Sequence, residues 1–161
     1  MVNSITRALL VGTVMAFGSA TLVLAADAAD PVVGTWVLNP AKSKFNPGPA
    51  PKSQTRTYTQ TAEGTHLMIR SVAADGAATA TESTFKYDGK TYPFTGSPNY
   101  DSLSLQRVNG STVKSTLKKA GKVVGTTTRT LSGHGKILTV ATKGTDAQGA
   151  AYNDVSVYDK H

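Results

Sequence analysis

The side chains that carry most acid, base and metal chemistry are few in this sequence and lie far apart. His66, His134 and His161 are its three histidines, and there is no cysteine. They fall at a strand start, in a glycine turn and at the terminus, a spacing that predicts no shared metal site. Without cysteine there is no thiolate nucleophile, no thiolate metal site and no disulfide. Asp75 and Asp88 belong to turn signals, Glu63 precedes a turn glycine, and Asp27 and Asp30 lie in a leading segment; among the rest, Glu82, Asp101 and Asp154 are the candidate acids. An acid–base pair needs two of these facing one pocket, an arrangement that spacing alone does not establish. No Gly-x-Ser-x-Gly elbow, phosphate loop or dinucleotide fingerprint occurs, and Gly133-His134-Gly135 reads as a turn. Asn109-Gly110-Ser111 matches a glycosylation sequon, but a turn explains the same three residues. The expectation is a noncatalytic protein with no cofactor and no metal.

Aromatic residues and arginines are the remaining candidates, for binding rather than reaction. Trp36, Tyr58, Phe85, Tyr92, Phe94 and Tyr158 are the expected lining of a binding cavity, with Arg107 and Arg129 as its cations. Each aromatic has an alternative role in core packing, because aromatic side chains also fill the interiors of small barrels.

The elements that must position these residues are strands. After the N-terminal segment no long stretch places apolar residues at helical spacing. Runs rich in Thr, Val, Tyr and Phe predict ten strands: 33–38, 54–61, 65–72, 78–87, 90–95, 102–108, 111–118, 122–131, 136–143 and 151–158. Glycine-bearing turns separate them, including Asp75-Gly76, Asp88-Gly89, Asn109-Gly110 and Ala120-Gly121. Such pairs favour two-residue hairpins, so consecutive strands are expected to be antiparallel neighbours. An open meander of this length would leave two bare edges, which predicts an all-β, up-and-down antiparallel barrel of about ten strands. Residues 39–53 hold four prolines before Lys52 and predict an extended loop across one mouth of the barrel, with Phe45 beneath it.

Arg7 followed by the apolar run Ala8–Leu24 reads as an export signal, with cleavage after Ala25 or after Ala28. The run's 17 residues sit at the lower limit for a membrane anchor, and no basic stop-transfer cluster follows. Residues 1–25 are thus the expected signal peptide and residues 26–161 one β-barrel domain, periplasmic or secreted, with no transmembrane segment in the mature chain. The formal charge of +7 becomes +6 without Arg7, which favours loose association with anionic envelope surfaces. The lysines are scattered rather than clustered with aromatics, so no nucleic-acid partner is expected.

Gly34-Thr35-Trp36-Val37-Leu38 opens the first strand with the single tryptophan of the chain. This Gly-x-Trp opening resembles that of the calycin superfamily, the lipocalins and, more closely, the fatty-acid-binding proteins. The likeness extends thinly through Arg129-Thr130-Leu131, Gly135 to Thr139 and Val157 to Lys160. Gly34 to Lys44 is also similar to the opening of a group of uncharacterised bacterial exported proteins. The calycin resemblance implies a barrel that binds a small apolar or amphipathic molecule inside. Two features depart from the fatty-acid-binding pattern. The proline loop stands where those proteins insert a helical lid, and their Arg-x-Tyr pair on the last strand is matched by Ser156 and Tyr158. Carboxylate capture therefore falls to Arg56, Arg70, Arg107 or Arg129. The alternative function is a solid-barrel interaction module for a protein or an anionic envelope surface.

Overall fold

Side chains that favour extended backbone, cut at short intervals by glycine, leave the chain little but antiparallel ladders to satisfy its backbone donors and acceptors. The computed structural model describes residues 30–161 and is all-β over that span. The strands are β1 Gly34–Leu38, β2 Ser53–Gln60, β3 Thr65–Val72, β4 Ala78–Phe85, β5 Asp88–Pro93, β6 Ser102–Arg107, β7 Thr112–Lys119, β8 Lys122–Ser132, β9 Ile137–Thr145 and β10 Ala151–Lys160. They form one ten-stranded sheet in the order β4-β3-β2-β1-β10-β9-β8-β7-β6-β5. The expected signal peptide and both cleavage positions lie outside the described residues. Among the described residues no helix is long and apolar enough to cross a membrane.

First and last strands meet: Trp36, Val37 and Leu38 pair with Lys160, Asp159 and Tyr158. The break in the barrel falls instead between β4 and β5, which are consecutive in sequence. They are joined by the single bridge Glu82↔Thr95, with N···O distances of 3.1 and 2.9 Å, and by Ser83 Oγ donating to Pro93 O at 2.7 Å. This corrects the expectation that every pair of consecutive strands is laddered. Pro93 fits such a seam, since a residue without an N–H belongs on an edge. Asp88-Gly89, expected as the hairpin turn here, lies inside β5, where the register with β6 shifts between Asp88 and Thr91.

Two further turn expectations divide. Ala120-Gly121 is the two-residue hairpin between β7 and β8, both residues at positive φ (48° and 78°), with Lys119 facing Lys122. Asn109-Gly110 is not: its turn closes through the Asn109 side chain, whose Oδ1 accepts from the Ser111 and Thr112 amides at 3.0 and 2.9 Å.

The proline segment is also more ordered than an extended loop. Pro40 opens a single 3-10 turn, Pro40–Lys42, at the position where a missing N–H costs nothing. Beyond it Lys44 bridges Val155, and Asn153 N donates to Asn46 O at 2.8 Å. The stretch from Asn39 to Asn46 thus continues the pairing of β1 along β10, and residues 47–52 alone span across to β2.

The core runs up the barrel axis. Val32, Trp36, Leu138 and Tyr158 have no exposed surface at all, and Tyr58, Phe85, Phe94, Leu103, Leu105, Val113, Leu117 and Val140 are buried around them. The turn Asp30–Val33, closed by Val33 N donating to Asp30 O at 2.9 Å, seals the lower end, where Trp36 Nε1 donates to Val32 O at 2.8 Å.

The seam depends on a close approach that only glycine permits. Gly96 has φ +83°, and a Cβ placed there would sit 2.1 Å from Ala80 O on β4. Gly96→Ala is expected to lower the unfolding free energy in urea by about 2 kcal/mol or more. Gly121→Ala, with φ +78° and open space around it, should cost only about 1 kcal/mol. Equal losses would show that the approach at the seam contributes nothing.

Candidate ligand site in the barrel

Side-chain alternation sends one set of residues from each strand into the lumen, and their chemistry changes from floor to mouth. Going upward, β2 presents Tyr58, Arg56 and Gln54; β3 presents Leu67, Ile69 and Ser71; β4 presents Phe85, Ser83, Thr81 and Thr79. On the far wall β9 presents Leu138, Val140 and Thr142, and β10 presents Tyr158, Ser156, Asp154 and Tyr152. Large apolar groups low in the barrel give way to hydroxyls and carboxylates above.

At the floor a charge cluster ties the leading turn to the wall. Asp30, its side chain only 6% exposed, accepts from Arg107 at 3.0 Å, from the Val32 amide at 3.1 Å and from the Tyr87 hydroxyl. Arg129 donates to the same Tyr87 oxygen at 2.9 Å, and the Arg107 guanidinium lies 4.2 Å from the Tyr87 ring centre. Burial raises the Asp30 pKa. The bonds from Tyr87 and Val32 and the charges of Arg129 and Arg107 outweigh it and hold the carboxyl below its ordinary value. Burial also pushes the Tyr87 phenol up.

Above the floor is an inner cavity of about 60 Å³, lined by Tyr58, Phe85, Phe94, Leu103, Leu105 and Val113 and by the polar side chains of Ser115, Thr127 and Arg129. Above that lies a mouth cleft of about 440 Å³, walled by Phe45, Pro47 and Pro49 of the proline segment, by Ser71, Thr79 and Thr81, and by Tyr152, Asp154 and Ser156. Arg56, Ile69, Tyr100 and Thr142 line both spaces and form the boundary between them.

Arg56 is the unusual group at that boundary. Its guanidinium lies 5.0 Å from the centre of the Tyr158 ring, and among the described residues its buried Nε has no hydrogen-bond partner and no carboxylate forms an ion pair with it. Burial opposes the charge. The phenols of Tyr158, Tyr58 and Tyr100 around it more than offset this, so the pKa lies above the ordinary arginine value and the cation persists at every working pH. Tyr100, which stacks at a tilt 4.7 Å from Phe94, is pushed up to about 12, chiefly by burial.

The expected site residues therefore separate into groups. Tyr58, Phe85, Phe94 and Arg129 do line the inner cavity. Tyr158 is buried beneath Arg56 with its hydroxyl bonded to Gln54, Arg107 belongs to the floor cluster, and Trp36 packs the floor. Tyr92 lines neither space: it packs at the edge of the core by the seam, its hydroxyl donating to Asp88 Oδ2 at 2.9 Å. Arg70 is exposed, which leaves Arg56 as the one of the four candidate arginines set at the boundary of both spaces. Tyr100 was not expected from sequence. Alternation along β2 is the available signal for Arg56, because it places that residue on the face of Tyr58.

Among the described residues no three His, Asp or Glu side chains converge to hold a metal ion. No known protein family, curated protein or solved structure matches the chain.

The floor cluster makes a pH prediction. A carboxyl whose folded pKa is depressed contributes stability that is present above its unfolded pKa, about 3.9, and lost as pH falls through the folded value. Asp30→Asn should cost about 2–3 kcal/mol at pH 7, where it leaves Arg107 without its partner. It should also flatten the stability profile below pH ~4. Urea titrations at pH 7 and pH 3 check both; an unchanged acid slope would remove Asp30 from the account.

Proposed function

We propose that this chain is an exported, noncatalytic binding protein of calycin type that holds a small amphipathic organic anion in the upper half of its barrel. The observation that carries this reading is Arg56: a half-buried cation whose Nε is buried and without a hydrogen-bond partner among the described residues, at the junction of two cavities. An N–H held away from water with no acceptor is costly, and an anion supplied from outside removes the cost. The inner cavity of about 60 Å³ is well below the ~150 Å³ that admits a benzene ring. The mouth cleft of about 440 Å³ is above the ~300 Å³ usual for a ligand site. The anionic group thus sits at Arg56, a short apolar end points into the inner cavity, and the bulk of the molecule occupies the mouth. Export follows from Arg7 and the apolar run Ala8–Leu24.

The small inner cavity also favours a second reading, a solid barrel whose basic surface meets a protein or an anionic envelope surface. Calorimetric titration separates the two. Hexanoate and benzoate should bind at least about tenfold tighter than hexanol and benzyl alcohol. Arg56→Met should abolish that preference while raising unfolding stability by up to about 1 kcal/mol, as expected when a buried N–H without an acceptor is removed. Failure of both carboxylates, together with no small molecule retained in native mass spectra of protein from its own envelope, would sink the ligand reading and leave the solid barrel.

A further inference from the structure

The geometry points to the class of that anion: a compact, hydroxylated monocarboxylic acid of the sugar-acid kind, its carboxylate on Arg56 and its hydroxyl-bearing ring in the mouth cleft. This rests on the reading of Arg56 as the anion anchor and adds what surrounds it. The cleft wall is made of groups that bond a polyol. Thr79 and Thr81 of β4 and Tyr152 and Ser156 of β10 all line the space. Asp154 commits Oδ1 to the Asn46 amide at 2.9 Å, and Asp146 commits Oδ1 to the Gln148 and Ala150 amides at 2.9 and 2.8 Å. In each carboxylate the second oxygen has no hydrogen bond to another described residue and is available to accept from a ligand hydroxyl.

An alkyl chain laid against this wall would strip water from hydroxyls and carboxylates without replacing its hydrogen bonds, whereas a ring carrying several hydroxyls replaces them. The aromatic faces of Phe45, Tyr100 and Tyr152 at the same cleft offer the apolar side of such a ring a surface to stack on. Charge fixes the number of acid groups. Arg56 favours one carboxylate at the base of the cleft, and Asp146 and Asp154 at its rim repel a second. The inner cavity beyond Arg56, about 60 Å³ and mostly apolar, leaves room for a substituent no larger than a methyl or similar group.

Isothermal titration of the purified protein with glucuronate, glucose and hexanoate tests this. Glucuronate should bind about tenfold or more tighter than either competitor. Thr81→Val and Tyr152→Phe should each weaken glucuronate about three- to tenfold and leave hexanoate within about twofold, which also reports that the variants are folded. Hexanoate binding as tightly as glucuronate would overturn the hydroxylated class while leaving Arg56 as an anion anchor. Glucose binding as tightly as glucuronate would overturn the assignment of the carboxylate to Arg56. No binding by glucuronate or hexanoate would remove this inference and the function it rests on together.

Discussion

Pairing of the first strand with the last is the constraint on which everything else in this molecule depends. A meander of ten strands has two terminal edges, and joining them turns a sheet into a barrel with an inside. Only Trp36, Val37 and Leu38 of β1 reach β10 directly, while β10 is ten residues long. Its upper half would stand bare if the proline segment did not follow it through Lys44 and Asn46. That segment therefore acts as a strand as much as a loop. By lying along β10 it also brings Phe45, Pro47 and Pro49 to the mouth, where they form one wall of the cleft.

Two arginines enter the lumen, and the fold treats them in opposite ways. Arg129 is 6% exposed and reaches Asp30 through the Tyr87 hydroxyl, so its charge is answered within the chain. Asp30 comes from the leading turn, so the same contacts that neutralise the arginine also hold the floor shut. Arg56 receives only the faces and oxygens of tyrosines. Tyrosines tolerate a cation by cation–π attraction but do not cancel its charge. With one guanidinium tied to Asp30 through Tyr87 and the other without a carboxylate partner among the described residues, the interior is positive below the mouth.

Strand content, strand order and closure were legible because they follow from local rules: residue type, alternation and the need to cover edges. The seam was not. Asp88-Gly89 carries the residue pair of a hairpin turn, yet the β4–β5 connection passes through Lys86 and Tyr87 because Tyr87 is drawn to Asp30 and Arg129 at the floor. Those are long-range contacts that no local pattern reports. Tyr92 failed as a cavity residue for the same reason: its strand lies at the seam, where an inward position meets the barrel edge rather than the lumen. Arg56 was within reach of the alternation Gln54, Arg56, Tyr58. Its lack of a carboxylate partner depends on every strand around it and could be seen only in three dimensions.

A barrel of ten strands encloses more width than one of eight, in which side chains alone fill the interior. Here the lower lumen is nevertheless nearly full, because Trp36, Tyr58, Phe85, Phe94 and Tyr158 supply bulk along the axis. Toward the mouth the inward positions change to Ser71, Thr79, Thr81, Thr142 and Ser156. They are smaller and more polar than the aromatic side chains at the floor of the same lumen. The exchange of aromatic for hydroxyl along the strands opens the space and makes it hydrogen-bonding in one step, so cavity size and wall polarity are not independent here. Arg56 lies at the level where that exchange occurs, and a molecule large enough to fill the upper space must meet its charge there.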